Sequence, residues 1–204
     1  MSTGGGEAVR TGDHAIEKGR GQVGLLGLIR RGRHERAGFE LYGTAVAAAR
    51  DPYFYITLDV PDTLDGRFDL IGLHVFLVIQ RLTDEVPLGP PLAQAVFDAM
   101  FSDMDINLRE MGVGDLSVGR RVKAMWDAFH GRANAYTAAL RDVDPAALEN
   151  ALGRNIWRGE TPPPGSPPAL GRLVRQQIAC LAGQDLSALL AGTVRFLPAA
   201  EAAR

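Results

Sequence analysis

Apolar residues recur at helical spacing through most of this chain. In residues 64–82 one face of the predicted helix is formed by Leu64, Phe68, Ile71, Val75, Val78, Ile79 and Leu82. This spacing of three and four positions is typical of an α-helix. Further apolar residues extend the apolar surface around most of the circumference of the helix, so we predict that this helix lies in the middle of a bundle.

The same periodicity, interrupted by proline and glycine, predicts the remaining helices. They cover residues 39–50, 92–111, 117–141, 145–157, 169–182 and 186–191. Residues 53–60 alternate as a strand would, but no second strand is available to pair with them, and an isolated strand is not stable. We therefore predict an all-α fold, a single helical-bundle-like domain of about six to seven helices with an extended aromatic connector. This domain is expected over residues 38–204, with a Pro-rich connector at 161–168.

The first 37 residues differ in character from the rest. They hold seven Arg and Lys against four Asp and Glu, and they are predicted to form a flexible basic leader. A short apolar stretch at 23–29 precedes a cluster of four arginines. We predict contact with an anionic membrane surface through Arg30, Arg31, Arg33 and Arg36. A Gly-rich leader with a fraying first helical turn is the plainer alternative.

Composition bounds the class of protein. The chain is 204 residues long, 46% hydrophobic and of net charge −2, as expected for a globular protein without a specific nucleic-acid partner. Its longest apolar run, residues 70–79, is too short to cross a bilayer. The single cysteine, Cys180, cannot form an internal disulfide, and no secretory signal is visible. These features predict a soluble cytoplasmic protein that could lie peripherally on the inner face of the cytoplasmic membrane.

No pattern in the chain matches a known catalytic or cofactor motif. The spacings for zinc, calcium and di-iron ligation are missing, as are a phosphate-binding Gly-rich loop and a nucleophile elbow. We therefore predict a protein that is not an enzyme and needs no cofactor.

Charged residues instead line up along the predicted helices. Arg67, His74 and Arg81 recur at seven-residue spacing on an otherwise apolar helix. Residues 84–116 hold seven acids and one base, whereas residues 117–141 hold five bases and one acid. Two interpretations stay open at this point: an internal salt-bridge network that sets helix register, or a polar cleft for a charged partner.

Two long, ungapped blocks of sequence resemble the bacterial ubiquinol-cytochrome c chaperone family. The first block is Val60-Pro61-Asp62-Thr63-Leu64-Asp65-Gly66-Arg67-Phe68-Asp69, preceded by Arg50-x-Pro52-x-Phe54-Tyr55. The second is Asp103-Met104-Asp105-x-Asn107-Leu108-Arg109-Glu110-Met111-Gly112-Val113-Gly114-Asp115. The resemblance covers about residues 38–140. It implies an all-helical assembly chaperone that binds newly made cytochrome b, or another subunit of complex III, without catalysis.

The charged stripes and the resemblance together suggest which residues contact the client. The expected partner-binding residues are Tyr53, Phe54, Tyr55, Arg67, His74, Arg81, Asp98, Asp105, Arg109 and Asp115. One alternative is a helical lipid- or quinone-binding protein, which would need His74 in a buried pocket close to an acidic partner. Another is a structural subunit bound permanently to the complex.

Overall fold

The computed structural model describes residues 14–158 and 160–204; within residues 14–31, and at Leu116, it describes the backbone alone. All regular structure in these residues is helical. The helices are α1 (His14–Ala49), α2 (Pro52–Ile56), α3 (Leu64–Thr83), α4 (Gly89–Glu110), α5 (Asp115–Arg141), α6 (Ala146–Ile156), α7 (Ser166–Ala182), α8 (Leu186–Leu190) and α9 (Ala199–Ala202). The all-α prediction is confirmed.

The chain divides into two units, residues 1–33 and 34–204. The predicted flexibility of the leader 1–37 stays a prediction, because residues 1–13 lie outside the described part of the chain. The helix predicted to begin at Phe39 begins at His14 instead. Within the described residues, no helix is both long enough and apolar enough to span a membrane.

Helix α3 is the centre of the second unit. It packs against α4, α5, α6 and α7, and every residue from Phe68 to Val78 is buried. A helix enclosed on several sides needs apolar residues around most of its circumference, as the sequence pattern indicated. Its predicted central position is therefore confirmed.

The predicted extended aromatic connector is wrong for its first half, where Pro52–Ile56 forms the short helix α2. The Asp51 carboxylate accepts a hydrogen bond from the backbone N–H of Tyr53 at 2.9 Å, and Pro52 occupies the first turn. An Asp cap followed by Pro is a helix-start signal. The alternation of residues 53–60 instead favours an extended segment, which is why no helix is predicted here from the sequence.

One further boundary differs for the same reason. Helix α7 begins at Ser166, so Pro167 and Pro168 belong to its first turn and not to a connector. The described residues also form a one-turn helix absent from the predicted set, α9, which packs on α7 and α2. With α2 and α9 included, the described residues hold more helices than the six to seven expected.

Candidate binding groove

A cavity of about 980 Å³ opens where four helices come together. It lies between α2, the first half of α3, the second half of α4 and the first half of α5. Its lining consists of Arg50, Pro52, Tyr55, Ile56, Asp62, Leu64, Asp65, Arg67, Phe68, Ile71, Asp103, Met104, Asn107, Leu108, Met111, Arg121, Ala124 and Met125. We call this cavity the groove.

Local capping positions the helix ends that form the groove. Thr63 caps α3, because its hydroxyl accepts a hydrogen bond from the backbone N–H of Gly66 at 3.1 Å. Gly66 is required here, since a Cβ at this position would lie 2.0 Å from the carbonyl oxygen of Pro61. At the far end of α4, Gly112 has a positive φ of 78° and lets the chain turn into α5.

The floor of the groove is apolar and adaptable. Phe68, Met104 and Leu108 are buried beneath it, and Met111 and Met125 extend the methionine surface. Methionine is unbranched and flexible, so a surface rich in it can adjust to different apolar partners.

Large apolar side chains also stand exposed at the edge of the groove. Ile56 is 82% exposed, Leu64 59% and Met111 52%. Scattered apolar residues on a surface are ordinary, but these three line the same cavity. Such a groove suits the binding of an apolar segment of another molecule.

The polar residues of the groove are arranged around this floor. Arg67 donates two hydrogen bonds to the carboxylate of Asp62, at 2.6 and 3.1 Å, and its guanidinium holds the pKa of Asp62 below the usual range. The carboxylate of Asp103 accepts a hydrogen bond from the Tyr42 hydroxyl at 2.6 Å. Both pairings engage charged groups that line the groove.

A buried charge cluster lies directly behind the groove. The side chain of Asp69 is fully buried, and its Oδ1 lies 3.0 Å from Nη2 of both Arg158 and Arg132. Burial raises the pKa of the Asp69 carboxyl, while the hydrogen bond from Arg158 and the charges of both arginines oppose that rise. Arg132 also lies over the Phe68 ring, 5.3 Å from its centre. The cluster thereby joins α3, α5 and the segment that follows α6.

The structure brings only part of the predicted partner-binding set into the groove. Arg67 and Tyr55 line it. Tyr53 is half-buried against the core and Phe54 is buried within it. These aromatic residues therefore split between the groove and the interior.

Arg109 joins two of the other predicted residues just beyond the groove. Its guanidinium bonds Asp105 at 2.6 Å and Asp115 at 2.6 Å, linking α4 to the first residue of α5. The pKa of Asp105 is lowered by the hydrogen bond from Arg109. Asp98 lies on the exposed face of α4, where Gln94 donates to it at 2.7 Å.

Arg81 lies at the other end of α3. It donates to the carbonyl oxygens of Leu181 and Gln184, each at 3.0 Å, and pairs with Glu85. Seven-residue spacing therefore does not assemble Arg67, His74 and Arg81 into one cleft, because their row runs from the groove through the core to the opposite end of the helix.

The charged residues of these helices pair within the chain in two ways, and a polar cleft for a charged partner stays a prediction. The Asp69 cluster is an internal ion network, whereas Arg67 and Arg109 pair locally at the surface. The bases of residues 117–141 make no ion pair with an acid of α4 in the described part of the chain: Lys123 pairs with Asp127 and Arg132 with Asp69.

His74 is a buried, neutral core residue. Its Nδ1 donates to the carbonyl oxygen of Leu70 at 2.8 Å, and its ring contacts the edges of Phe54 and Phe196. Burial lowers its pKa to about 4. Asp51 lines the same small cavity of about 460 Å³, but its carboxylate accepts from the backbone N–H groups of Tyr53 and Ala199. The acid–imidazole pair that a quinone site would need is not formed here.

The predicted membrane-contact residues are only partly described. The side chains of Arg30 and Arg31 lie outside the described residues. Arg33 and Arg36 are exposed, and Arg36 lies 4.0 Å from Glu40 one helical turn away. Membrane contact stays a prediction.

An all-helical domain whose described residues form an apolar groove lined by methionines has the features of a protein that binds other polypeptides. Comparison with known proteins agrees: residues 57–196 match the family described as ubiquinol-cytochrome C chaperone. The chain belongs to this family. The prediction of a non-enzymatic chaperone is thereby confirmed.

Individual relatives extend the match beyond the family segment. The chain is 26% identical over 168 residues to ubiquinol-cytochrome-c reductase complex assembly factor 1 of Xenopus laevis, covering 81% of this chain and 82% of that protein. It matches the human assembly factor 1 at the same identity but spans 55% of its length. The crystal structure of the Cbp3 homolog from Brucella abortus is similar, with 38% identity and a TM-score of 0.74 over 87% of this chain and 98% of that one.

We expect the substitution Asp69→Asn to lower the free energy of unfolding by about 3 kcal/mol, because it leaves the charges of Arg132 and Arg158 without their buried counter-charge. The matched control is Asp62→Asn, which removes an exposed carboxylate and should cost no more than about 1 kcal/mol. Urea unfolding of the two variants measures the difference. Equal, small losses would contradict the structural role given to the cluster.

Stability should also fall on mild acidification because of His74. In the unfolded chain the pKa of His74 is near its ordinary value of 6.5, whereas in the folded protein it is about 4. Between these two pH values the unfolded chain binds a proton at His74 and the folded protein does not. Between pH 7 and pH 5 this difference lowers the free energy of unfolding by about 2 kcal/mol. In the His74→Asn variant, which keeps a donor for the Leu70 carbonyl, that component should disappear. Identical pH dependence of urea unfolding in both proteins would count against it.

Proposed function

We propose that this chain is an assembly chaperone of ubiquinol-cytochrome c reductase and that its groove holds an apolar segment of newly made cytochrome b. The observation that carries the proposal is the groove itself, an apolar cavity of about 980 Å³ with exposed Ile56, Leu64 and Met111 at its mouth. Relatives of the chain are named as assembly factors of that complex, and a chaperone for a membrane protein must shield apolar surface before it is inserted.

The geometry suits a temporary association. The groove is open to solvent along its edge, and its exposed Arg67 pairs with Asp62 in the free chaperone. Exposed ion pairs contribute little to stability and rearrange easily. Binding thus depends on apolar contact, which a client can leave once it is assembled.

We place this chaperone in the cytoplasm, peripherally at the inner face of the cytoplasmic membrane, where its client enters the bilayer. The exposed Arg33 and Arg36 support that location, since basic side chains are attracted to anionic lipid headgroups.

Photo-crosslinking in cells tests the proposal. A photo-reactive amino acid placed at Leu64 or Met111, both exposed at the groove, should crosslink to newly synthesised cytochrome b. Val143 is the matched control, because it is an apolar residue that is 98% exposed and does not line the groove. Crosslinks are detected by pulse labelling and immunoprecipitation of cytochrome b.

The expected crosslinks appear during the pulse and decline in the chase as the complex matures. Crosslinks of equal strength at Val143, or none to cytochrome b at either groove position, would contradict the proposal. Crosslinks that persist in the mature complex at fixed ratio would identify a permanent subunit instead of a chaperone.

A further inference from the structure

The charged groups that line the groove differ in whether they already have a partner. Each of its three carboxylates is engaged: Asp62 with Arg67, Asp65 with Arg158 at 3.1 Å, and Asp103 with the Tyr42 hydroxyl. Two of its three arginines, Arg50 and Arg121, have no ion-pair partner among residues 32–158 and 160–204. The groove therefore offers free guanidinium groups and no free carboxylate.

The sequence around Arg121 explains why it stays free. Elsewhere in these helices a base commonly has an acid one turn away, as Lys123 has Asp127 and Arg109 has Asp105. Ser117 and Met125 stand in those positions for Arg121. Its guanidinium is exposed on the first half of α5 and faces the same cavity as the methionine floor.

Arg50 is kept free by a different arrangement. The neighbouring carboxylate of Asp51 is held by backbone N–H groups. The nearby Tyr42 hydroxyl stays protonated, because burial and its hydrogen bond to Asp103 raise its pKa well above the usual range. Arg50 is itself exposed at the end of α1. Neither neighbour can supply it with an available anion.

We infer that the groove selects apolar polypeptide segments that carry a carboxylate, which Arg50 and Arg121 bind. A guanidinium and a carboxylate form two parallel, charge-assisted hydrogen bonds. Because apolar contact is not directional, an arginine adds affinity and also fixes the orientation of the bound segment. The inference rests on the proposed function and adds to it the chemistry by which a client segment is chosen and oriented.

A polypeptide fits the groove better than a lipid surface does. The lining of the groove carries the carboxylates of Asp62, Asp65 and Asp103 together with the arginines. These would repel a dense layer of anionic headgroups, whereas a single carboxylate can reach an arginine between them. The apolar floor, with its flexible methionines, can also accommodate the side chains of a bound peptide.

The test uses labelled peptides that tile the apolar segments of cytochrome b, each acid-containing peptide being paired with a copy that has Gln or Asn in place of Glu or Asp. Fluorescence anisotropy gives the Kd of each pair for the native chain. We expect the acidic member of a binding pair to bind about fivefold more tightly, with the preference shrinking at high salt. The double variant R50Q/R121Q should bind both members with the native Kd of the amide peptide.

Arg154→Gln is the matched control, because Arg154 is an exposed arginine on α6 outside the groove; it should keep the native preference. All targeted side chains are exposed, so unchanged melting temperatures verify that each variant folds.

Equal affinity of the native chain for acidic and amide peptides would overturn the inference and leave the proposed function standing. No binding of any peptide would overturn both. Loss of binding to phosphatidylglycerol vesicles in R50Q/R121Q, without any peptide preference, would assign the arginines to lipid and overturn the inference.

Discussion

The carboxylate of Asp69 lies inside the helical domain, and the arrangement of helices around α3 depends on how its charge is met. Arg132 of α5 and Arg158 beyond α6 both reach it. A buried charge is tolerated only with such partners, so the three side chains fix α5 and the end of α6 against the first half of α3. The groove lies directly beside this cluster, and Phe68 belongs to both: Arg132 covers its ring, and the ring lines the cavity.

This arrangement separates rigidity from adaptability. Behind the groove, a charge network and a closely packed core hold α3 in place. In front of it, flexible methionines and exposed aliphatic residues present a surface that no part of the described chain covers. An apolar cavity left open lowers solubility and is commonly a binding surface. Exposed local pairs such as Asp62–Arg67 surround it with charge. Together these features describe a rigid core behind an adaptable apolar surface.

The helices with strong periodicity could be predicted from the sequence, and the site could be predicted only in part. Helices α3 and α5 were found close to their observed bounds because their apolar faces repeat over five or more turns. Helix α2 was not predicted, because the alternation of its aromatic residues was given more weight than the Asp cap and the proline at its start. The burial of Asp69 was beyond sequence reasoning, since its hydrogen-bonding partner lies 89 residues further along the chain.

The groove was missed for a related reason. Its walls come from four separated segments, and Met104 and Met125 stand on the apolar faces of their helices, where helical periodicity predicts core residues. Seven-residue charge spacing instead drew attention to His74 and Arg81, which the fold buries or turns away from the cavity. Periodicity reports which face of a helix is buried, but it does not report which helix ends meet.

Hydrogen exchange of the chaperone, alone and bound to cytochrome b, tests the central claim that the groove is the client site. Binding should slow exchange of backbone amides in residues 56–68 and 104–115, which border the cavity, and leave residues 184–204 unchanged. Protection confined to residues 184–204, with the groove segments exchanging as before, would contradict the account.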